Sequence, residues 1–199
     1  LREIKLLSIT PNSEKHIENC GRTCYKSFDK IDDSSYARFI KSIIKSGHHS
    51  VLEHATATFR IKGVSRSLTH QLVRHRLCSF SQQSQRYCRE DEFEYIIPTS
   101  IKDNKEAALR YKVAMERNAE DYKFLRDHGI LKEDARFVLP NACASEIVVS
   151  ANFRNWRQMI ELRTEKHAQW EIKDMCNEIL DILYKHAPIV FEDLKNETN

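Results

Sequence analysis

The sequence predicts an α+β fold: mixed helices around a small, largely antiparallel sheet, in a single domain spanning residues 1–199. Three observations lead there. The predicted strands and helices alternate irregularly, without the steady βαβ rhythm of a doubly wound sheet. Hydrophobic residues make up 41% and charged residues 31% of the chain, the balance of an ordinary globular protein able to bury a core. Only four glycines are present, Gly21, Gly47, Gly63 and Gly129. They are too scattered for a G-x-G-x-x-G turn or a phosphate loop.

Taken in order, Glu3 to Ile9 reads as a first strand, with Ile4 and Leu6 alternating with Leu7 and Ile9. Thr10-Pro11 looks like an N-cap followed by proline at the first helical position, opening a helix towards Cys24. Asp33 or Ser34 begins the next helix. Its apolar residues Tyr36, Phe39, Ile40, Ile43 and Ile44 share one face, and Gly47 closes it. Glu53 to Lys62 alternates as a strand, with Ala55, Ala57, Phe59 and Ile61 on one side, and Gly63 breaks it.

Val64 to about His75 reads as a helix, and Phe93 to Ile97 as a strand ending at Pro98. Asp103 to about His128 is a long amphipathic helix with a stripe through Ala107, Tyr111, Ala114, Met115, Tyr122 and Leu125. Lys132 to Leu139 is a short helix stopped by Pro140. Ser145 to Asn152 is β-branched and reads as a strand. Trp156 to about Arg163 and Trp170 to His186 are the last two helices. No internal repeat, low-complexity tract or linker interrupts the order.

The totals exclude several classes. A net charge of +3 is too small to mark the whole chain as a nucleic-acid binder. No apolar run approaches membrane-spanning length. Leu1-Arg2-Glu3-Ile4-Lys5 lacks the apolar core of a signal peptide. Six cysteines, at positions 20, 24, 78, 88, 143 and 176, contain no C-x-x-C. They are expected to be reduced thiols in a cytoplasmic protein, with Cys20 and Cys24 packed on a helix. His48, His49 and His54 with Glu53 fit no helical H-E-x-x-H, and no metal site is expected.

The chemistry concentrates in Arg74-His75-Arg76, followed by Leu77 to Gln83 and then Ser84-Gln85-Arg86-Tyr87. So many donors suit an anion. If the preceding helix were intact, Gln71 and His75 would project together, and Gln71 and Arg74 could reach one ligand. Arg74 and Arg76 would then diverge. Either the helix ends first, or the two arginines serve different ligands. Ser84 between an amide and a guanidinium suits a phosphate anchor; as a nucleophile it lacks a paired base.

A second group is Asn152-Phe153-Arg154, then Gln158, Arg163 and His167. Arg163 lies seven residues after Trp156, four after Met159 and three after Ile160. That puts a guanidinium on the inward face, where it must be paired or meet a ligand. Arg136 is likewise set among apolar residues in Ala135 to Pro140.

Together these residues resemble the flavin-dependent thymidylate synthase family. The R-H-R, seven residues, Ser signature reads here as Arg74-His75-Arg76, Leu77 to Gln83, Ser84. Gly47-His48-His49-Ser50-Val51-Leu52-Glu53-His54 is similar to the family's upstream G-H-x-S/T-x-x-E-H segment. Ala135 to Pro140 and Asn152 to Glu171 also match.

The resemblance implies methylation of dUMP to dTMP. Carbon would come from 5,10-methylenetetrahydrofolate and hydride from reduced FAD, which NADPH recharges. It implies a homotetramer whose active sites are shared between subunits. FAD would be lined by Ser50, Arg74, His75, Arg76, Gln82, Asn152, Phe153, Arg154 and Gln158. The nucleotide would be held by Gln71, Arg74, Gln82, Gln83, Ser84, Gln85, Arg86 and Arg136. Arg163 would sit at the pyrimidine and favour ionisation at N3, raising electron density at C5 without a cysteine nucleophile. Gln82 stands where some relatives carry an acidic residue, and His167 could order Arg163.

Two other classes fit parts of the sequence. A nucleic-acid-binding module could use Arg74, Arg76, Arg86 and Arg89. A serine hydrolase could use Ser84 and His75, but it lacks a third orienting group and an oxyanion-hole motif.

Overall fold

The structure, a computed structural model, describes residues 2–197. Its strands are β1 (Glu3–Ile9), β2 (Thr56–Ser65), β3 (Ser79–Gln82) and β4 (Ala144–Asn152), and they form an antiparallel sheet in the order β1-β2-β4-β3. The helices are α1 (Ser13–Arg22), α2 (Ser35–Lys45), α3 (Arg66–Leu72), α4 (Thr99–Lys102), α5 (Lys105–Asp127), α6 (Lys132–Ala135), α7 (Phe153–Thr164), α8 (Trp170–His186) and α9 (Pro188–Glu197). The α+β class stands.

The residues fall into two compact units. The first is made chiefly of Ile61–Leu72 and Ser81–Ile147. The second is made of Ile4–Arg60, Val73–Phe80 and Val148–Asn199 as far as described.

The second unit carries the larger core. Phe59 and Trp156 meet edge to face at 5.2 Å, and Trp156 Nε1 donates to the Ala57 carbonyl at 3.1 Å. Helix α8 buries Ile172, Met175, Cys176, Ile179, Leu180 and Leu183 on one face, the 3.6-residue stripe visible in the sequence. Gly21 permits the close approach of α1 to its neighbours. A Cβ there would stand 2.4 Å from Phe39 Cζ and 2.9 Å from Val51 Cγ1. Helix α9 was not expected. Glu14 caps its start, accepting from Ile189 N at 2.6 Å and Val190 N at 3.2 Å. Arg157, 4% exposed, binds Asp193 at 2.7 and 2.5 Å.

In the first unit, Val64, Leu68 and Leu72 are fully buried, as their spacing predicts. Helix α5 buries only Met115 and Tyr122. Of the rest of the predicted stripe, Ala107, Tyr111 and Leu125 are half-buried and Ala114 is exposed, so the stripe is only partly covered; Leu109 and Phe124, outside it, are more than 60% exposed.

Several boundaries differ from the sequence reading. The cap of α1 is Asn12, with left-handed backbone at φ 47°. Thr10 instead joins β2, accepting from Thr56 N at 2.9 Å through Oγ1. Helix α1 stops at Arg22, so Cys24 is exposed rather than packed. Strand β2 starts at Thr56, after a 3₁₀ turn over His49–His54, and passes through Gly63 to Ser65. At Gly63 φ is 69°, a conformation that favours glycine. The inward phase then moves from Ala57, Phe59 and Ile61 to Val64, the behaviour of a bulge.

Helix α3 ends at Leu72, not near His75. Val73 is 40% exposed, so no buried side chain supports another turn there. Phe93 to Ile97 is not a strand; Tyr95 makes an isolated antiparallel bridge to Cys143. The predicted 132–139 helix divides into α6 and a 3₁₀ turn over Arg136–Val138. All six cysteines are free thiols. Among the described residues no helix is long and apolar enough to cross a membrane.

Candidate functional site

Helix α7 is the base of the site in the second unit. Its cap is Asn152, whose Oδ1 accepts from Asn155 N at 2.9 Å and so satisfies one unpaired first-turn donor. The Phe153 N–H donates to Ala55 O at 2.8 Å, and the Phe153 ring meets Phe191 at 5.3 Å in the core. With the helix start fixed, Arg154 is exposed and donates to Glu53 at 2.6 Å. Ser50 is exposed on the same 3₁₀ turn as Glu53.

Arg74, His75, Arg76, Leu77 and Cys78 form one wall of a cavity of about 270 Å³. Asn155, Gln158 and Leu162 of α7 form the other. Because α3 has already ended, Arg74 to Leu77 is a turn, and helical projection does not govern it. Arg163 Nε donates to His75 Nε2 at 3.0 Å. That bond requires an unprotonated Nε2, so His75 is neutral with its proton on Nδ1. Burial, reinforced by the Arg163 charge, holds the imidazole below its ordinary range. Arg163 itself is half-buried, less enclosed than its spacing suggests. His167 is exposed beyond the end of α7; the imidazole bonded to Arg163 Nε is His75.

The polar half of the motif lies in the first unit. Gln82, on the unforeseen strand β3, donates from Nε2 to Thr69 Oγ1 at 2.9 Å and Ser145 Oγ at 3.2 Å. Gln83 N donates to Glu146 O at 2.8 Å, and its side chain donates to Glu90 at 3.1 Å. Burial raises the pKa of Glu90, partly opposed by that bond and by Arg66. Ser84 opens a turn: its carbonyl accepts from Tyr87 N at 3.1 Å and Cys88 N at 2.9 Å, and its Oγ accepts from Arg86 N at 3.3 Å. Gln85 is 6% exposed.

Arg86 and Arg136 both meet Glu133. Arg86 Nε donates to its carboxylate at 2.9 Å, and Arg136 Nε to its main-chain carbonyl at 3.1 Å. Lys132 Nζ donates to Tyr87 O at 2.7 Å. Gln71 Nε2 lies 3.4 Å from Ser67 O on its own helix.

Each unit thus gathers its own set of the expected residues. Ser50, Arg74, His75, Arg76, Asn152, Phe153, Arg154, Gln158 and Arg163 belong to the second. Gln71, Gln82, Gln83, Ser84, Gln85, Arg86 and Arg136 belong to the first. Glu90, Glu133 and Asn155 are partners that sequence reasoning did not single out, and Glu53, named there beside the histidines and in the upstream segment, was not foreseen as the partner of Arg154. Their contacts span 7, 47, 78 and 101 positions, and only the first is local enough to have been guessed.

The rival classes fare poorly. Of the four arginines for a nucleic-acid surface, Arg86 is paired with Glu133 and Arg89 with Asp91 and Asp127. Among the described residues, no base is hydrogen-bonded to Ser84 Oγ. Burial pushes Cys78 up to about 11, and Cys143 and Cys176 up to about 12. A thiol in that range is not an activated nucleophile.

Residues 5–189 match the family described as thymidylate synthase complementing protein. A flavin-dependent thymidylate synthase of Geobacter sulfurreducens is 41% identical over 199 residues, covering 96% of this chain and 86% of that protein. Its counterpart in Clostridium tetani is 38% identical over 213 residues, covering 96% and 85%. One from Pyrococcus abyssi is 44% identical over 168 residues, covering 82% and 69%.

Proposed function

The chain belongs to the thymidylate synthase complementing protein family, as a flavin-dependent thymidylate synthase, and from that premise we propose how its residues divide the reaction. The substrate is dUMP and the product dTMP. The carbon donor is 5,10-methylenetetrahydrofolate, and NADPH is the reductant. The hydride would come from FAD, when bound and reduced.

The donor set fits a flavin dinucleotide. Arg74 and Arg76 are exposed at the cavity, and neither has a carboxylate partner among the described residues. In a glycine-poor chain such guanidiniums take the part of a phosphate loop. Arg74, His75, Arg76, Arg154 and Gln158 would hold the cofactor, with Ser50 and Asn152 of the same unit; Gln82, of the first unit, is assigned to it as well. Phe153 has its ring in the core and would act by supporting the backbone there.

The nucleotide is the ligand of the other set. Ser84 and Arg86 anchor its phosphate, and Gln71, Gln82, Gln83, Gln85 and Arg136 complete the contacts, with Arg74 assigned to both ligands. Glu133, on the side nitrogen of Arg86, orients that guanidinium. The single observation that carries the reading is the Arg163–His75 bond. It joins a residue assigned to the pyrimidine to one assigned to the flavin. The neutral imidazole fixes the plane of a guanidinium that stabilises negative charge at N3. The uracil C5 is thereby electron-rich enough to attack the methylene carbon without a thiolate on C6.

The family match runs through both compact units, which supports one functional domain over 1–199. Exposed Leu109, Val113 and Phe124 on α5 support a homotetramer, since apolar side chains gathered on one helix suit a subunit interface. Six free thiols suit a cytoplasmic setting. The purified chain is expected to take up FAD and keep flavin absorbance through gel filtration. A chain that stays colourless at saturating FAD would sink the assignment of the Arg74–Arg76 cavity.

A further inference from the structure

We propose that Asn155 is a positioning residue for the flavin site, holding the Arg74–Leu77 turn on α7 so that Arg74, His75 and Arg76 meet the cofactor in one arrangement. The proposal rests on the reading of that turn as flavin-binding.

The turn needs an external support. It follows the end of α3 at Leu72 and precedes β3 at Ser79, so neither a helix nor a ladder fixes it. Its one internal main-chain bond runs from Cys78 N to His75 O at 3.2 Å. Burial fixes little of it: His75 is only half-buried. Leu77 is 76% exposed, and Arg74 and Arg76 are exposed too.

Two bonds from α7 hold it instead. Arg163 Nε reaches His75 Nε2 at 3.0 Å, and Asn155 Nδ2 reaches Leu77 O at 3.2 Å. Eight residues separate the two donors, about 12 Å along the helix, so together they set both the position and the tilt of the turn. Either bond alone would leave it free to pivot.

Asn155 is built for this task. It is 8% exposed, and its own N–H is bonded to the Asn152 cap at 2.9 Å, which fixes its backbone. Asparagine is a poor helix former, and a buried amide requires a partner. The Leu77 carbonyl is that partner. Gln158 and Leu162, three and seven residues on, line the same cavity, which places Asn155 on the ligand-facing side of α7.

The test compares Asn155→Asp and Asn155→Leu with the wild-type chain. Asn155→Asp keeps the shape but sets a carboxylate against a carbonyl. Asn155→Leu keeps most of the volume and removes the donor. Three quantities are read: FAD dissociation constant, dUMP dissociation constant, and the melting temperature of the flavin-free chain. Loss of a buried hydrogen bond that orders a binding turn corresponds to roughly a 10-fold change in affinity.

The expected result is FAD binding weakened about 10-fold or more in both variants, with a clearly smaller loss of dUMP affinity and a melting temperature lowered by no more than the loss of one hydrogen bond. The nucleotide is less affected because, of its assigned residues, only Arg74 lies on the turn and only Arg163 is bonded to it, while the others belong to the other unit. FAD affinity unchanged in either variant would overturn the proposal. So would equal loss of both ligands with a lowered melting temperature, which is the mark of a purely structural residue. Failure of the wild-type control to bind FAD would instead remove the flavin reading on which the proposal stands.

Discussion

Replacing Arg163 by alanine is expected to lower turnover by roughly 10²–10³-fold while FAD remains bound, the effect of removing one preorganised donor from developing negative charge. The argument is geometric. Arg163 is half-buried, and its Nε is committed to His75 at 3.0 Å, so the guanidinium does not have to reorganise as charge builds on the ring. Arg163→Lys should lose nearly as much. A lysine keeps the charge but has neither the fork nor the side nitrogen that His75 holds. Affinity for dUMP should fall with turnover, because the same group meets the ground-state pyrimidine. Single-turnover rates and dUMP binding measured on FAD-loaded protein separate the two effects. Normal turnover by Arg163→Ala would remove the N3 role.

The second large effect is on stability. Trp156→Ala is expected to cost about 3–5 kcal/mol in a urea titration. Trp156 is fully buried, touches Phe59 edge to face, and donates Nε1–H to the Ala57 carbonyl at 3.1 Å. Alanine removes the largest buried side chain of α7 and leaves a buried carbonyl without its partner. Since α7 also carries Arg154, Asn155, Gln158 and Arg163, the ligand-binding face should loosen with it. Trp156→Phe should lose much less, because most of the ring contact remains and only the hydrogen bond goes. A loss below about 1 kcal/mol for the alanine variant would show that α7 is not held at this point.

The parts of the fold that could be read from the sequence are those whose side chains repeat with the backbone. Strand β4 alternates Ser145, Ile147, Val149 and Ala151 inward without a break. Helix α8 matches its predicted limits, Trp170 to His186, because its apolar stripe is uninterrupted. The failures have physical reasons. Strand β3 reads Ser-Phe-Ser-Gln and offers no apolar face; Gln82 is fixed instead by hydroxyls at positions 69 and 145. Gly63 marks a bulge rather than an end, since a glycine at positive φ can shift the phase of a strand and let it continue. The end of α3 at Leu72 depends on where burial stops, which composition does not reveal.

The site divides in the same way. The residues proposed to bind anions could be picked out because R-H-R and the Ser-Gln-Arg cluster are contiguous. How those residues are held was not. His75 and Arg163 are 88 positions apart, Arg154 and Glu53 101, and Arg86 and Glu133 47. Inward-facing Arg163 was inferred from spacing alone, and the spacing did not reveal that its Nε is bonded to an imidazole from the motif itself. That bond also decides the state of His75: neutral, an acceptor, and below its usual range because it is buried beside a cation.

The central claim is that this chain methylates dUMP by flavin chemistry with Arg163 at the pyrimidine and no cysteine nucleophile. Release of tritium from dUMP labelled at C5 tests it most directly, in the presence of 5,10-methylenetetrahydrofolate and NADPH. Release should require added FAD, yield dTMP, and fall with Arg163→Ala but not with alkylation of the exposed thiols Cys24 and Cys88. Release independent of FAD, or none from the FAD-loaded chain, would contradict the account.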